Sequence, residues 1–142
     1  MKNFTLACAE SCTGGLLLSR FTDFAGASAY VKGGVVAYCN EIKNKILHVK
    51  AETLEEFGAV SPQTALEMAT NVREIFSATI GLSTTGLAGP DTREGKEVGL
   101  VYVAIVGEDF SEVKECHFKG TRSEIKFQAA DEAFELLMRH TT

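Results

Sequence analysis

No stretch of this chain approaches the ~20 consecutive apolar residues of a membrane span, and Met1-Lys2-Asn3 runs straight toward a first strand without the apolar region and small-residue cleavage site of a secretory leader. A cytoplasmic location is therefore expected, without a membrane partner. There is no basic run, and no aromatics alternate with Lys or Arg; at a net charge of −5 a nucleic-acid backbone finds little to hold it. Nucleic acid is excluded as a partner. The four cysteines, Cys8, Cys12, Cys39 and Cys116, include no C-x-x-C pair, and three of them read as buried reduced thiols. The three histidines, His48, His117 and His140, share no ligand spacing with them, so neither a metal nor a cofactor is expected. Internal repeats, low-complexity tracts and linkers are also missing. What remains is ordinary globular composition, 45% apolar and 23% charged over 142 residues, which suits a single domain spanning 1–142.

The chain alternates strands and helices early and closes with a hairpin. An apolar run at Phe4 to Ala7 leads through Ala9-Glu10-Ser11-Cys12-Thr13-Gly14-Gly15 into a helix-like segment, Leu16 to Phe24. That junction is a strand, a hydroxyl- and glycine-rich turn and a helix start, where free N–H groups and the positive end of the helix dipole suit a phosphate or carboxylate. Ala29 to Tyr38 reads as a second strand with a bulge or bend at Gly33-Gly34. Asn40 is expected to cap a helix to about Leu47, and Thr53-Leu54-Glu55-Glu56 to open another as a capping box ending at Gly58. Ser61 caps a longer helix with Pro62 at its first position and Ala65, Met68, Ala69, Val72, Ile75 and Phe76 on one face. Ile80 to Thr85 and Val98 to Val106 read as strands around a polar loop, Gly86 to Glu97. The turn Gly107-Glu108-Asp109-Phe110 reverses the chain into Ser111 to Lys119. Thr121-Arg122-Ser123-Glu124 opens a final helix to about Arg139. The class expected is a three-layer α/β/α sandwich with a mixed sheet.

Three loops that follow strands concentrate small and polar residues: Glu10 to Gly15, Tyr38 to Lys43, and Thr85 to Asp91. If their strands run parallel, all three line one crevice at the strands' carboxyl ends. Ser28, on the loop before the second strand, would have to reach the same mouth. Ser11 and Cys12 are alternative nucleophiles, since a helix start stabilises an anion there, but no histidine lies at a comparable loop to activate either.

Several segments in order, Ala9 to Gly15, Gly26 to Ala29, Gly33 to Lys43, Gly58 to Ser61, Thr85 to Pro90 and Val98-Gly99, resemble the bacterial nicotinamide-nucleotide amidases, which also form the C-terminal domain of CinA, the competence- and damage-inducible protein. The resemblance covers nearly the whole chain. It implies hydrolysis of the carboxamide of nicotinamide mononucleotide, without metal, by a serine and lysine pair that falls on Ser28 and Lys43. Lys43 would serve as base and then as acid for the leaving ammonia, which requires a pKa below the usual ~10.4 of lysine. The substrate's pyridinium charge is expected to supply part of that shift. Tyr38 is a family position whose hydroxyl would orient the lysine or relay a proton; the alternative is a tyrosine packed at a strand end. Ser11, Thr13, Gly14 and Gly15 are expected to hold the substrate, with its phosphate at the helix start, and Gly86 and Gly89 are expected to bind it as well. Glu10 would bind the ribose or only orient a loop, and Arg122 would face the anionic substrate.

The chain departs from the family in four places. It starts three residues ahead of the first strand, where the family commonly has a helix, so apolar surface on Leu16 to Phe24 or on the last helix is expected to be covered by a homodimer. Asp91 to Glu97 lacks the paired glycines usual there, Cys39 stands where serine is common, and Lys119-Gly120-Thr121-Arg122 replaces proline-glycine-aspartate-arginine. Two other functions stay open: a non-catalytic mononucleotide-binding or regulatory module, and an amidase for another carboxamide.

Overall fold

A computed structural model describes residues 3–142; Met1 and Lys2, read above as the lead into the first strand, lie outside the described residues. The elements follow the order β1 (Leu6–Glu10), α1 (Leu16–Phe21), a 3₁₀ turn (Ala27–Ala29), β2 (Val31–Val36), α2 (Asn40–Lys45), α3 (Ala51–Phe57), α4 (Pro62–Ile75), β3 (Ile80–Gly86), β4 (Leu100–Val106), β5 (Ser111–His117) and α5 (Arg122–Thr141). One five-stranded sheet has the order β2-β1-β3-β4-β5. Its first three strands are parallel and its last two antiparallel, which gives the mixed sheet expected.

Strand β1 is buried along its whole length, because both faces of the sheet are covered. Side chains alternate across a strand. Leu6 and Cys8 thus join Leu17, Phe21, Ile125, Ala129 and Leu136 on the side of α1 and α5, while Ala7 and Ala9 join Met68 and Val72 of α4 on the other. Strand β4 divides in the same way, with Val101, Val103 and Ile105 toward α5 and Leu100, Tyr102 and Ala104 toward α4. The three layers follow from this alternation.

Helix α4 lies close on β3 because two positions there have almost no bulk. A Cβ on Gly81 would stand 2.0 Å from the carbonyl oxygen of Ala69, and two residues along the strand the Ser83 hydroxyl donates to the carbonyl of Ala65 at 2.6 Å. Two strand residues advance the chain by about 6.6 Å and the four helix residues from Ala65 to Ala69 by about 6 Å, so both contacts fit one rigid approach.

The sequence places most elements within a few residues. The irregularity in β2 falls just ahead of Gly33-Gly34, where it was expected: the register against β1 shifts between Leu6 and Ala7, opposite Val31 and Gly33, and skips Lys32, while Gly33 and Gly34 pair regularly. Ser61 accepts from Thr64 N at 3.1 Å with Pro62 next to it. Thr121 and Glu124 form the reciprocal capping box of α5. Ala65, Met68, Ala69 and Val72 are fully buried on α4, whereas Ile75 is exposed at its end.

Two expected caps are corrected. Asn40 is the first helical residue of α2, and Cys39 occupies the cap position without a side-chain bond. Thr53 lies inside α3 rather than before it; the helix starts at Ala51 because Glu67, from α4, accepts from Lys50 N at 2.9 Å and also takes the Thr53 hydroxyl. A carboxylate from a neighbouring helix performs the capping that the local spacing assigned to Thr53.

Candidate active site

The parallel strands β1, β2 and β3 end on the same side, so the loops after them meet. The pairing continues past the strand ends. Ala37 N donates to Glu10 O at 2.8 Å, and Ser11 N donates to Thr84 O at 3.0 Å. Ser11 is thereby fixed between the ends of β2 and β3, and Tyr38 stands beside it. Helix α2 begins two residues later and turns Lys43 back beneath Ser11. The Lys43 ammonium donates to Ser11 Oγ at 2.9 Å and to the Tyr38 carbonyl at 3.3 Å.

Lys43 is 2% exposed, among the most deeply buried charged residues described. Burial pushes its pKa below the ordinary lysine value, against the pull of Cys12, Cys39 and Glu94. A lysine so placed loses its proton more readily, and the Ser11 contact then reverses, with the hydroxyl donating to a neutral amine. Cys12, the neighbouring thiol, is pushed up to about 12, chiefly by burial. It stays protonated and is a poor nucleophile. Of the four free cysteines, Cys8, Cys12 and Cys116 are buried, and Cys39 is exposed at the cleft.

Ser28 does not belong to this group. It is exposed on the 3₁₀ turn three residues before β2, at the entry end of a strand that runs parallel to β1. The length of the strands, about 13 Å or more at ~3.3 Å per residue, separates it from the crevice. The Ser28–Lys43 pair expected from the resemblance therefore does not form, and the serine that meets Lys43 is Ser11.

The helix start of α1 is not an open anion site either. The buried carboxylate of Glu10 turns back over it and accepts from Gly15 N at 3.1 Å, Leu17 N at 2.9 Å and Leu18 N at 2.9 Å. It also accepts from the Thr13 hydroxyl at 2.5 Å, which is in turn 2.7 Å from the Thr84 hydroxyl. The N–H groups and dipole expected to hold a phosphate are occupied by the protein's own anion. Glu10 orients the loop and does not face a ribose, and Thr13, Gly14 and Gly15 are corrected from substrate ligands to parts of this internal knot; none of these four lines the cleft.

The cleft itself has a volume of about 690 Å³, with Ser11 and Lys43 in its wall, within the usual range of small-molecule sites. Gly86, Gly89 and Arg122 line it. Arg122 donates to the Gly89 carbonyl, and at 2.6 Å to the Tyr38 hydroxyl. Tyr38 is 59% exposed, and its hydrogen bond with Lys43 is made by its backbone carbonyl. Its hydroxyl orients Arg122, not the lysine, and it is not packed in the core. Sequence reasoning passed over Arg93 and Glu94, which also line the cleft. The signal for them was the loop Asp91 to Glu97, where the chain departs from the family.

Among the described residues no group of three or more His, Cys, Asp or Glu is placed to hold a metal ion, and no helix is long and apolar enough to cross a membrane.

The family model described as the CinA C-terminal domain matches residues 1–141. A CinA-like protein from Syntrophomonas wolfei is 49% identical over 136 residues, which are 95% of this chain and 33% of that relative. The chain thus spans about a third of the length of the curated relatives it matches. The crystal structure of the competence/damage inducible protein CihA from Agrobacterium tumefaciens superimposes with a TM-score of 0.95 at 38% identity, covering 99% of this chain and 87% of that one. A competence-damaged protein (CinA) superfamily structure from Enterobacter cloacae gives 0.95 at 30% identity, over 99% and 83%. With a family match over nearly its whole length and these neighbours sharing its fold, the chain belongs to the CinA C-terminal domain family.

Proposed function

We propose that this protein is an amidohydrolase that converts nicotinamide mononucleotide to nicotinic acid mononucleotide and ammonia, with Ser11 as nucleophile and Lys43 as its base. The observation that carries this reading is the 2.9 Å contact between a buried lysine and a serine fixed at the ends of two strands. Neutral Lys43 takes the proton of Ser11 Oγ as the oxygen attacks the carboxamide carbon. When the tetrahedral intermediate collapses, the C–N bond breaks and Lys43 returns that proton to the departing nitrogen, which leaves as ammonia. A water then attacks the Ser11 ester, losing a proton to Lys43; as the ester bond breaks, Ser11 Oγ recovers it and the carboxylic acid departs. No metal is needed at any step.

The purified protein is expected to release ammonia from nicotinamide mononucleotide in EDTA. Its rate should rise with pH as Lys43 loses its proton, and the limb should lie below that of a free lysine because burial disfavours the ammonium. Stabilisation by the mononucleotide without ammonia would instead support a binding module. Turnover only of other amides would retain the chemistry and change the substrate.

A further inference from the structure

We propose that Arg93 is a specificity-determining residue, the second arm of an anion clamp that it forms with Arg122 at the mouth of the cleft, and that this clamp selects a carboxamide bearing a phosphomonoester over its unphosphorylated counterpart. This rests on the amidohydrolase reading and names what that site recognises.

An anionic substrate group has to be held somewhere, and the helix start that would ordinarily take it is filled by Glu10. At the N-terminus of α5 the capping box takes the N–H groups of Thr121 and Glu124. The cationic side chains of the cleft rim supply full charges for such a group. Four of the five arginines already bond to protein groups: Arg20 to Asp131, Arg73 to Thr79, Arg122 to Gly89 and Tyr38, and Arg139 to Glu112. The guanidinium of Arg93 has no hydrogen-bond or ion-pair partner among the described residues, and Arg93 is an exposed residue of the cleft lining.

The backbone that carries Arg93 is held in place at some expense. Arg93 and Lys96 bridge across a tight turn, with Lys96 N donating to Arg93 O at 3.0 Å, and the two residues between them, Glu94 and Gly95, have φ of 58° and 69°. Two consecutive positive φ values mark a turn that glycine and asparagine favour, so Glu94 is strained there. Its carboxylate compensates by accepting from Ala59 N at 2.9 Å and Val60 N at 3.2 Å across the cleft wall. Lys96 adds bonds to Glu94 and to the carbonyls of Phe57 and Val60. The turn is thus pinned from both sides, and Arg93 stands on a fixed base.

Charge on this rim favours an anion. Glu94 is neutralised by Lys96 and by the two N–H groups, and Asp91, also on the rim, pairs with neither arginine. Arg122 has five N–H donors and uses two on protein groups. A phosphate dianion matches two guanidinium forks in charge and in number of acceptors, where a single carboxylate matches one.

The test compares nicotinamide mononucleotide with nicotinamide riboside, which lacks only the phosphate, in the wild type, Arg93→Ala and Arg93→Lys. Arg93→Ala is expected to raise KM for the mononucleotide about tenfold, with kcat within about twofold and the riboside unaffected, while Arg93→Lys recovers part of the loss. Equal changes for both substrates, or none for either, would overturn the clamp. Thermal stabilisation by each ligand separates this inference from the hydrolase reading. Stabilisation by the mononucleotide alone, lost in Arg93→Ala, upholds the clamp even without ammonia release. Equal stabilisation of wild type and Arg93→Ala by the mononucleotide sinks it even if the enzyme is active.

Discussion

Replacing Lys43 with methionine is expected to abolish ammonia release, by about 10³-fold or more in kcat, and at the same time to make the protein harder to melt. The two effects share one cause. The lysine is buried beside Ser11, where burial disfavours its ammonium, so the folded state keeps a group that it would shed more cheaply as a hydrocarbon. Methionine has a similar length and no charge to desolvate, and the gain is about 1 kcal/mol, or roughly 3 °C in Tm for a chain of this size.

The sign of the pH dependence follows from the same group. A lysine whose folded pKa is depressed binds fewer protons when folded than when unfolded over the interval between the two pKa values. Stability contributed by this site therefore rises with pH across that interval and falls as pH drops through the folded pKa. The wild type should show this increment in urea unfolding between neutral pH and about pH 10, and Lys43→Met should lack it. A Lys43→Met protein that is less stable at neutral pH would mean that the lysine holds the fold together and is not a strained functional group.

Glu10→Ala should act in the opposite direction, lowering unfolding free energy by about 3 to 5 kcal/mol in urea or thermal melts. Four donors lose their acceptor at once: the N–H groups of Gly15, Leu17 and Leu18 and the hydroxyl of Thr13. With Glu10 only 1% exposed, water cannot readily replace the carboxylate. Glu10→Gln, which presents one acceptor oxygen and one unwanted donor, should fall between the two. Were Glu10 a ribose ligand, the alanine variant would melt normally and lose only affinity, and that pattern would remove Glu10 from the framework of the site.

Local pattern made the elements legible, and the ends of neighbouring strands decided the site. Ser61-Pro62 and Thr121 to Glu124 announce their helices because each cap is satisfied within three or four residues. Thr53 to Glu56 has the same spacing and misleads, since the acceptor that starts α3 is Glu67, 14 residues from Thr53 and visible only once α4 has packed. The mouth formed by three loops could be anticipated from parallel strands, and Ser11 was already in the first of those loops. The resemblance points to Ser28, although a residue that precedes β2 lies at the wrong end of a parallel sheet. Glu10 was hardest to place from the chain alone: its carboxylate reaches forward over five to eight residues to fill a helix start that the sequence presents as vacant. Arg93 was hidden for a related reason, because its fixed position depends on Glu94 reaching 34 and 35 residues back to Val60 and Ala59.

The most direct measurement is the rate of ammonia release from nicotinamide mononucleotide by Ser11→Ala and Ser28→Ala beside the wild type, with folding of each variant checked by its melting curve. The account predicts a loss of about 10³-fold or more in Ser11→Ala and an unchanged rate in Ser28→Ala, both folded. A folded Ser11→Ala protein that keeps its rate, or a Ser28→Ala protein that loses it, would contradict the pairing of Ser11 with Lys43 on which the proposed chemistry stands.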